Sequence, residues 1–244
     1  MSFIKRISLF ATIASMSLPV FSAGSLPSVL EAYYQPTVDS EKQPVWLRKD
    51  NPGYIYRLCL DSPTDAKEHI VVMCADGESD RATGGASIGY FDLWFLNNGK
   101  IVSAETVESH GIYGTSGIAD TVYLGKHRGI VTESIITKMG EDIVFQDFYL
   151  PAERHRVKKI AAIMAHYDNK PGCVEDRDCV VNYLDSDVEF AYENEDESSG
   201  SYPKMYIHSF GVWQGKIINE RAIVPFDIST GKYPVPDSVP RLIN

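Results

Sequence analysis

From Gly53 onward the chain is a succession of short apolar runs, each closed within about a dozen residues by Gly, Asn, Asp or Ser. That spacing constrains the fold more than any other feature, because it suits antiparallel strands joined by tight turns and is too short for crossover connections. "YIYRLCL" and "HIVVMCA" are two such runs, linked by the polar "DSPTDAKE". The strongest hairpin signal follows: Phe91, Leu93 and Phe95 alternate toward Asn97, Asn98 and Gly99, and Ile101 begins the return strand. Since Trp94 alternates with Phe95, one of the two is expected to face solvent. "GIVTESIITKMGEDIVFQDFYL" reads as two strands turning at Met139 to Asp142, and "MYIHSFGVWQGKIINERAIVPFD" as a hairpin turning at Gln214 and Gly215.

One segment departs from this pattern. Pro151, Ala152 and Glu153 resemble a helix start, Val157, Ile160, Ala161 and Met164 recur at i, i+3, i+4 and i+7, and "NKPG" at 169–172 resembles a stop. The expected class is therefore α+β, predominantly antiparallel β of meander or sandwich type, with one main helix near 152–167.

The remaining organisation reads as three parts. Residues 1–22 carry Lys5 and Arg6 ahead of an apolar run from Ile7 to Phe21, the pattern of a cleaved secretory signal peptide, with the cut expected after Ser22 or Ala23. Residues 23–52 form an extended lead-in, helical at most over Ser28 to Tyr34 and held extended by Pro36 and Pro44. Residues 53–244 form a single mostly-β domain, and its last dozen residues, with Pro234, Pro236 and Pro240, are expected to lie along a surface. No second apolar run long enough for a spanning helix follows the signal.

An exported chain with four cysteines points to disulfides. Of the three possible pairings, Cys59 with Cys74 and Cys173 with Cys179 are favoured, because each pair brackets a polar, turn-like stretch. Zinc is disfavoured by the spacing, and no metal or cofactor is expected. Expected localisation is periplasmic or secreted.

The chain carries 23 basic and 33 acidic residues, a net charge of −10; losing Lys5 and Arg6 with the signal leaves −12. Such a balance argues against nucleic acid and anionic membranes and favours a basic protein as partner. The acids concentrate in "YENEDESSGSYP", where Glu193, Glu195, Asp196 and Glu197 sit between two strand-like runs, flanked by Tyr202 and Trp213 as candidate apolar anchors. Asp185, Asp187 and Glu189 stand at alternate positions and so share one strand face; without an EF-hand glycine or spacing they read as a solvated face.

Catalytic motifs are scarce. "VESHGIYGTSGIAD" sets Ser109 beside His110 among Gly111, Gly114 and Gly117, but adjacent strand residues point to opposite faces, and the G-x-S-x-G and phosphate-loop patterns are missing. The segment reads as a connecting loop. If a site exists there, its candidates are His110, Asp120, Glu105 and Glu108. The leading expectation is an exported β-rich binding protein, such as an inhibitor, a toxin-immunity protein or an envelope accessory factor, acting through its acidic surface. The alternative is an exported hydrolase with its site around loop 109–120.

Overall fold

The computed structural model describes residues 25–65, 67–78, 88–111, 115–173, 179–192 and 202–240. Six strands, β1 (Tyr34–Val38), β2 (Pro44–Arg48), β3 (Tyr54–Pro63), β4 (Glu68–Glu78), β5 (Tyr90–Asn97) and β6 (Lys100–Glu108), form one sheet in sequence order. Seven more, β7 (Ile118–Leu124), β8 (His127–Lys138), β9 (Glu141–Pro151), β10 (Val157–Asp168), β11 (Tyr183–Ala191), β12 (Lys204–Trp213) and β13 (Lys216–Val224), form the second, also in sequence order. Neighbouring strands pair antiparallel in both sheets. The hairpin turns at Asn98-Gly99, Met139-Gly140 and Gln214-Gly215 each place both residues at positive φ, the geometry that matches strand twist in a two-residue connection.

The second sheet is bent. β10 and β11 pair at His166 with Asp185, Tyr167 with Leu184 and Asp168 with Tyr183, and part beyond that corner. β11 to β13 then cover one face of β9 and β10: Phe148, Leu150, Ile160 and Ile163 pack against Met205, Ile207 and Val224. Phe148 meets Phe190 edge-on with ring centres 5.4 Å apart. The opposite face of β8 and β9, through Ile130 and Tyr149, packs against Ile70, Val72, Phe91, Leu93 and Phe95 of the first sheet. The result is three β layers, with β8, β9 and β10 in the middle.

The expected helix is a strand. β10 carries two bulges: Lys159 pairs with Tyr149 and Ala161 with Phe148, leaving Ile160 extra, while Met164 pairs with Phe145 and His166 with Val144, leaving Ala165 extra. Each bulge shifts the inward–outward alternation by one residue. Buried apolar residues on the strand therefore fall at helix-like intervals, with Lys159 and Ala162 exposed between them. Among the described residues the helical turns are short 3-10 segments, at Ser28–Ala32, Glu153–His155 and Lys170–Cys173, and no helix is long and apolar enough to cross a membrane.

Two further expectations change for one reason, which is that the ends of the chain cover the outer faces. Trp94 and Phe95 point to opposite sides of β5 yet both are buried, because Leu26, Leu30 and Tyr34 close over the Trp94 side. The proline-rich carboxyl end does not simply lie on a surface; Tyr233 and Val239 enter the core between β10 and β12. Its Tyr233 N–H donates to the carbonyl of Ile160, the extra residue of the first bulge, at 2.8 Å.

Both disulfides form as paired above, Cys59 with Cys74 and Cys173 with Cys179. The first lies in the interface between the layers, across a sequence separation of 15 residues. Closing such a loop contributes about 3 kcal/mol. Burying the inward side chains of β4 and β5 contributes about 2 kcal/mol each. The bridge therefore reinforces an interface that burial already holds. Urea titration of wild type and of a Cys59→Ala/Cys74→Ala protein, which keeps the Cys173–Cys179 bridge, is expected to show a stability loss of about 3 kcal/mol, with a cooperative transition retained.

Candidate functional site

The described ends of the loop between the sheets meet at one carbonyl, that of Thr115. Ser109 Oγ donates to the Thr115 carbonyl at 2.9 Å and accepts from Gly111 N–H at 3.0 Å. A Cβ at Gly89 would stand 2.0 Å from that carbonyl oxygen, and one at Gly111 2.1 Å from it. The glycines are needed for close backbone approach, and the Ser109 hydroxyl is committed to the loop, away from His110.

His110 turns instead toward the middle layer. Its Nε2 donates to Asp147 Oδ2 at 3.1 Å, and its ring stacks on Phe145 at 4.4 Å. Lys159 Nζ reaches the same oxygen at 2.6 Å and Tyr149 Oη at 3.2 Å. Asp147 is buried on β9, and its Oδ1 has no partner among the described residues. Burial pushes this carboxyl up, but the bonds from His110 and Lys159 outweigh it and hold the group below the usual carboxylate range. The arrangement clamps the loop after β6 onto β9. A histidine held by a carboxylate is one part of a nucleophilic arrangement, but the adjacent hydroxyl, Ser109 Oγ, is committed to the loop.

The other catalytic candidates are not brought together. Glu105 reaches Arg156, at 3.4 Å. Glu108 is exposed at the end of β6, where the odd spacing puts it on the opposite face from Glu105. Asp120 lies exposed on β7, accepting from the Thr121 N–H at 2.6 Å. Sequence reasoning missed Asp147 and Lys159. Their signal was a charged residue inside an otherwise apolar strand, obscured at Lys159 by the helical reading.

On the far layer, Asp185, Asp187 and Glu189 share one face of β11. Asp185 is taken by His166 Nδ1 at 2.7 Å and by the Tyr183 hydroxyl, whereas Asp187 and Glu189 remain exposed. Across the strands, Asp187 faces His208 and then Arg221, and Glu189 faces Tyr206 and then Ile223. These six side chains line a shallow groove of about 540 Å3. Beside it, β13 is an edge strand whose Ile217 and Ile223 are 88% and 56% exposed.

Glu193, Glu195, Asp196 and Glu197 lie outside the described residues. Tyr202 is stacked between His127, at 4.5 Å, and Phe226, at 3.9 Å. Trp213 sits edge-on to Tyr167 at 5.1 Å, beside Ile218 in a small cluster at the sheet corner. Among the described residues no group of His, Cys, Asp and Glu is gathered closely enough to hold a metal ion. Comparison with protein-family models, with curated proteins and with solved structures finds no match for the chain.

Two outcomes are expected. Gly111→Ala should lower stability by about 3 kcal/mol or more, since its Cβ meets backbone. Gly99→Ala, at positive φ with open space around it, should cost about 1 kcal/mol. Thermal unfolding of the two variants checks the order. Asp147→Asn should cost about 2 kcal/mol near neutral pH. Because the folded Asp147 carboxyl titrates below its unfolded value of about 3.9, its contribution is present above that pH and is lost as pH falls through the folded value. Wild type and Asp147→Asn should therefore converge in stability as pH falls through the folded Asp147 value, in acid titrations followed by fluorescence.

Proposed function

We propose that this chain is an exported β-rich binding protein that meets a basic protein partner through an acidic face centred on β11. The observation that carries the reading is the exposed pair Asp187 and Glu189, on a strand that leads directly into the acidic segment 193–197. Tyr206 and Ile223 beside them offer apolar contact, and a three-layer scaffold presents the groove without needing to order it on binding. Charges of this kind speed encounter and select partners more than they tighten the complex. Export is supported by the apolar run at 7–21 and by the two disulfides, which persist in oxidising compartments. Inhibitor, immunity protein and envelope accessory factor are the roles such a face would serve.

A second reading, an exported hydrolase working at His110, draws support from the His110–Asp147 contact. It would need an attacking group supplied by the substrate or by water.

The test is capture from the native envelope after mild cross-linking, comparing wild type with two charge-reversed proteins. One carries Asp187→Lys and Glu189→Lys; the other carries Glu195→Lys, Asp196→Lys and Glu197→Lys. Wild type is expected to recover one basic protein in stoichiometric amount at low salt. Both variants should lose at least about tenfold of that capture while unfolding at the wild-type temperature. Undiminished capture by both variants would contradict the acidic face.

A further inference from the structure

A second opening lies where the ends of β4 and β5 meet the β7–β8 turn. The cleft encloses about 160 Å3 and is lined by Glu68, His69, Lys126, His127, Arg128 and Tyr202, with Ile70, Phe95 and Leu150 among its apolar walls. Its volume is close to the ~150 Å3 of an engineered cavity that takes one benzene ring.

Arg128 is the group that needs explaining. Its Nη2 donates to the Ser62 carbonyl at 3.0 Å and to Ser62 Oγ at 2.8 Å, which fixes the guanidinium across the two sheets. Its Nε and Nη1 are buried with no acceptor, and the described structure gives it no carboxylate. A buried guanidinium with no carboxylate beside it leaves a positive charge uncompensated, and an anion in the neighbouring cleft would offset that charge although these two nitrogens are themselves closed off from solvent. The Tyr123 ring, 5.9 Å from the guanidinium carbon, offers a π face but no hydrogen-bond acceptor comparable to an oxyanion.

The neighbours narrow the ligand. Lys126 brings a second positive charge to the rim. His127 stacks flat on Tyr202, and burial together with Lys126 lowers its affinity for a proton. His69 is already paired with Asp61. Glu68 is the single carboxylate of the lining, so a doubly charged ligand would meet more repulsion than a singly charged one. The apolar walls favour a ligand with a carbon body over a bare inorganic ion.

We propose that this cleft binds a small organic carboxylate, with its oxygens on Lys126 in the field of the buried Arg128 guanidinium and its apolar body against Ile70, Phe95 and Tyr202. The site is distinct from the acidic face on β11 and does not depend on it. Nothing in its sequence signature is a motif: Arg128 and His127 follow a hairpin turn, and Tyr202 arrives from more than seventy positions away.

Isothermal titration of the oxidised full chain with benzoate, butyrate and inorganic phosphate tests the assignment. Saturable binding of benzoate or butyrate, with a rise in unfolding temperature, is expected, and phosphate should bind more weakly. Arg128→Gln should weaken the carboxylate by about thirtyfold or more. Lys126→Gln, at an exposed turn position where misfolding is not a concern, should weaken it about twofold to fivefold. Absence of saturable carboxylate binding up to the millimolar range would overturn the proposal. So would tighter binding of phosphate, or carboxylate binding unchanged in the Lys126→Gln protein and in any folded Arg128→Gln protein.

Discussion

The middle layer of β8, β9 and β10 is packed by the first sheet on one face and by β12 and β13 on the other, and the rest of the structure follows from that constraint. One face must fit the first sheet through Ile130 and Tyr149; the other must fit β12 and β13 through Phe148, Leu150, Ile160 and Ile163. A regular strand offers one residue in two to each side. β10 meets the demand with two bulges, which re-aim its side chains and add twist where the second sheet turns its corner. A bulge also frees backbone groups in a buried place, and the Ile160 carbonyl is satisfied by the Tyr233 N–H of the returning chain end. The carboxyl-terminal segment is thus part of the core's hydrogen bonding.

Polar groups in and around this layered core are paired in the same spirit. Asp147 gathers His110, Lys159 and Tyr149, and Ser186 faces Ser209 at 2.8 Å. On the outer side of the first sheet, Asp92 accepts from Tyr34, from Arg48 at 2.7 Å and from Thr106 at 2.6 Å. Burial pushes the Asp92 carboxyl up, against the pull of these donors. The Tyr34 hydroxyl also accepts from Trp94 Nε1 at 3.2 Å, so the network ties the amino-terminal segment onto β5. Among the described residues the pairing is incomplete at Asp147 Oδ1, at Thr121 Oγ1 and at Arg128, where two buried nitrogens are left without an acceptor.

How much of this was legible in the chain can be judged element by element. The hairpins at Asn98-Gly99, Met139-Gly140 and Gln214-Gly215 were readable because turn chemistry is local. So were the disulfides, whose partners bracket short stretches. β10 was misread because apolar period assumes an unbroken strand, and a bulge is set by the layers on either side. Trp94 was misread because its cover comes from Leu26, Leu30 and Tyr34, some sixty positions earlier. The same limit applies to the sites. The shared face of Asp187 and Glu189 follows from alternation within one strand, whereas His110 with Asp147, or Arg128 with Tyr202, depends on strands brought together by the fold.

The proposed functional features lie around a packed centre: the acidic face on the outer side of β11 to β13, the cleft proposed to take a carboxylate at one margin of the sheet interface, and the His110 clamp at the crossing between sheets. Placement of this kind lets recognition surfaces vary while the middle layer keeps its packing. Native-state hydrogen exchange read by mass spectrometry tests that account most directly. Peptides covering 143–150 and 157–164 are expected to exchange slowest in the molecule, with those of β1, β7 and β13 exchanging faster. Fast exchange across 157–164, at the rate of the edge strands, would contradict a middle strand held between two layers.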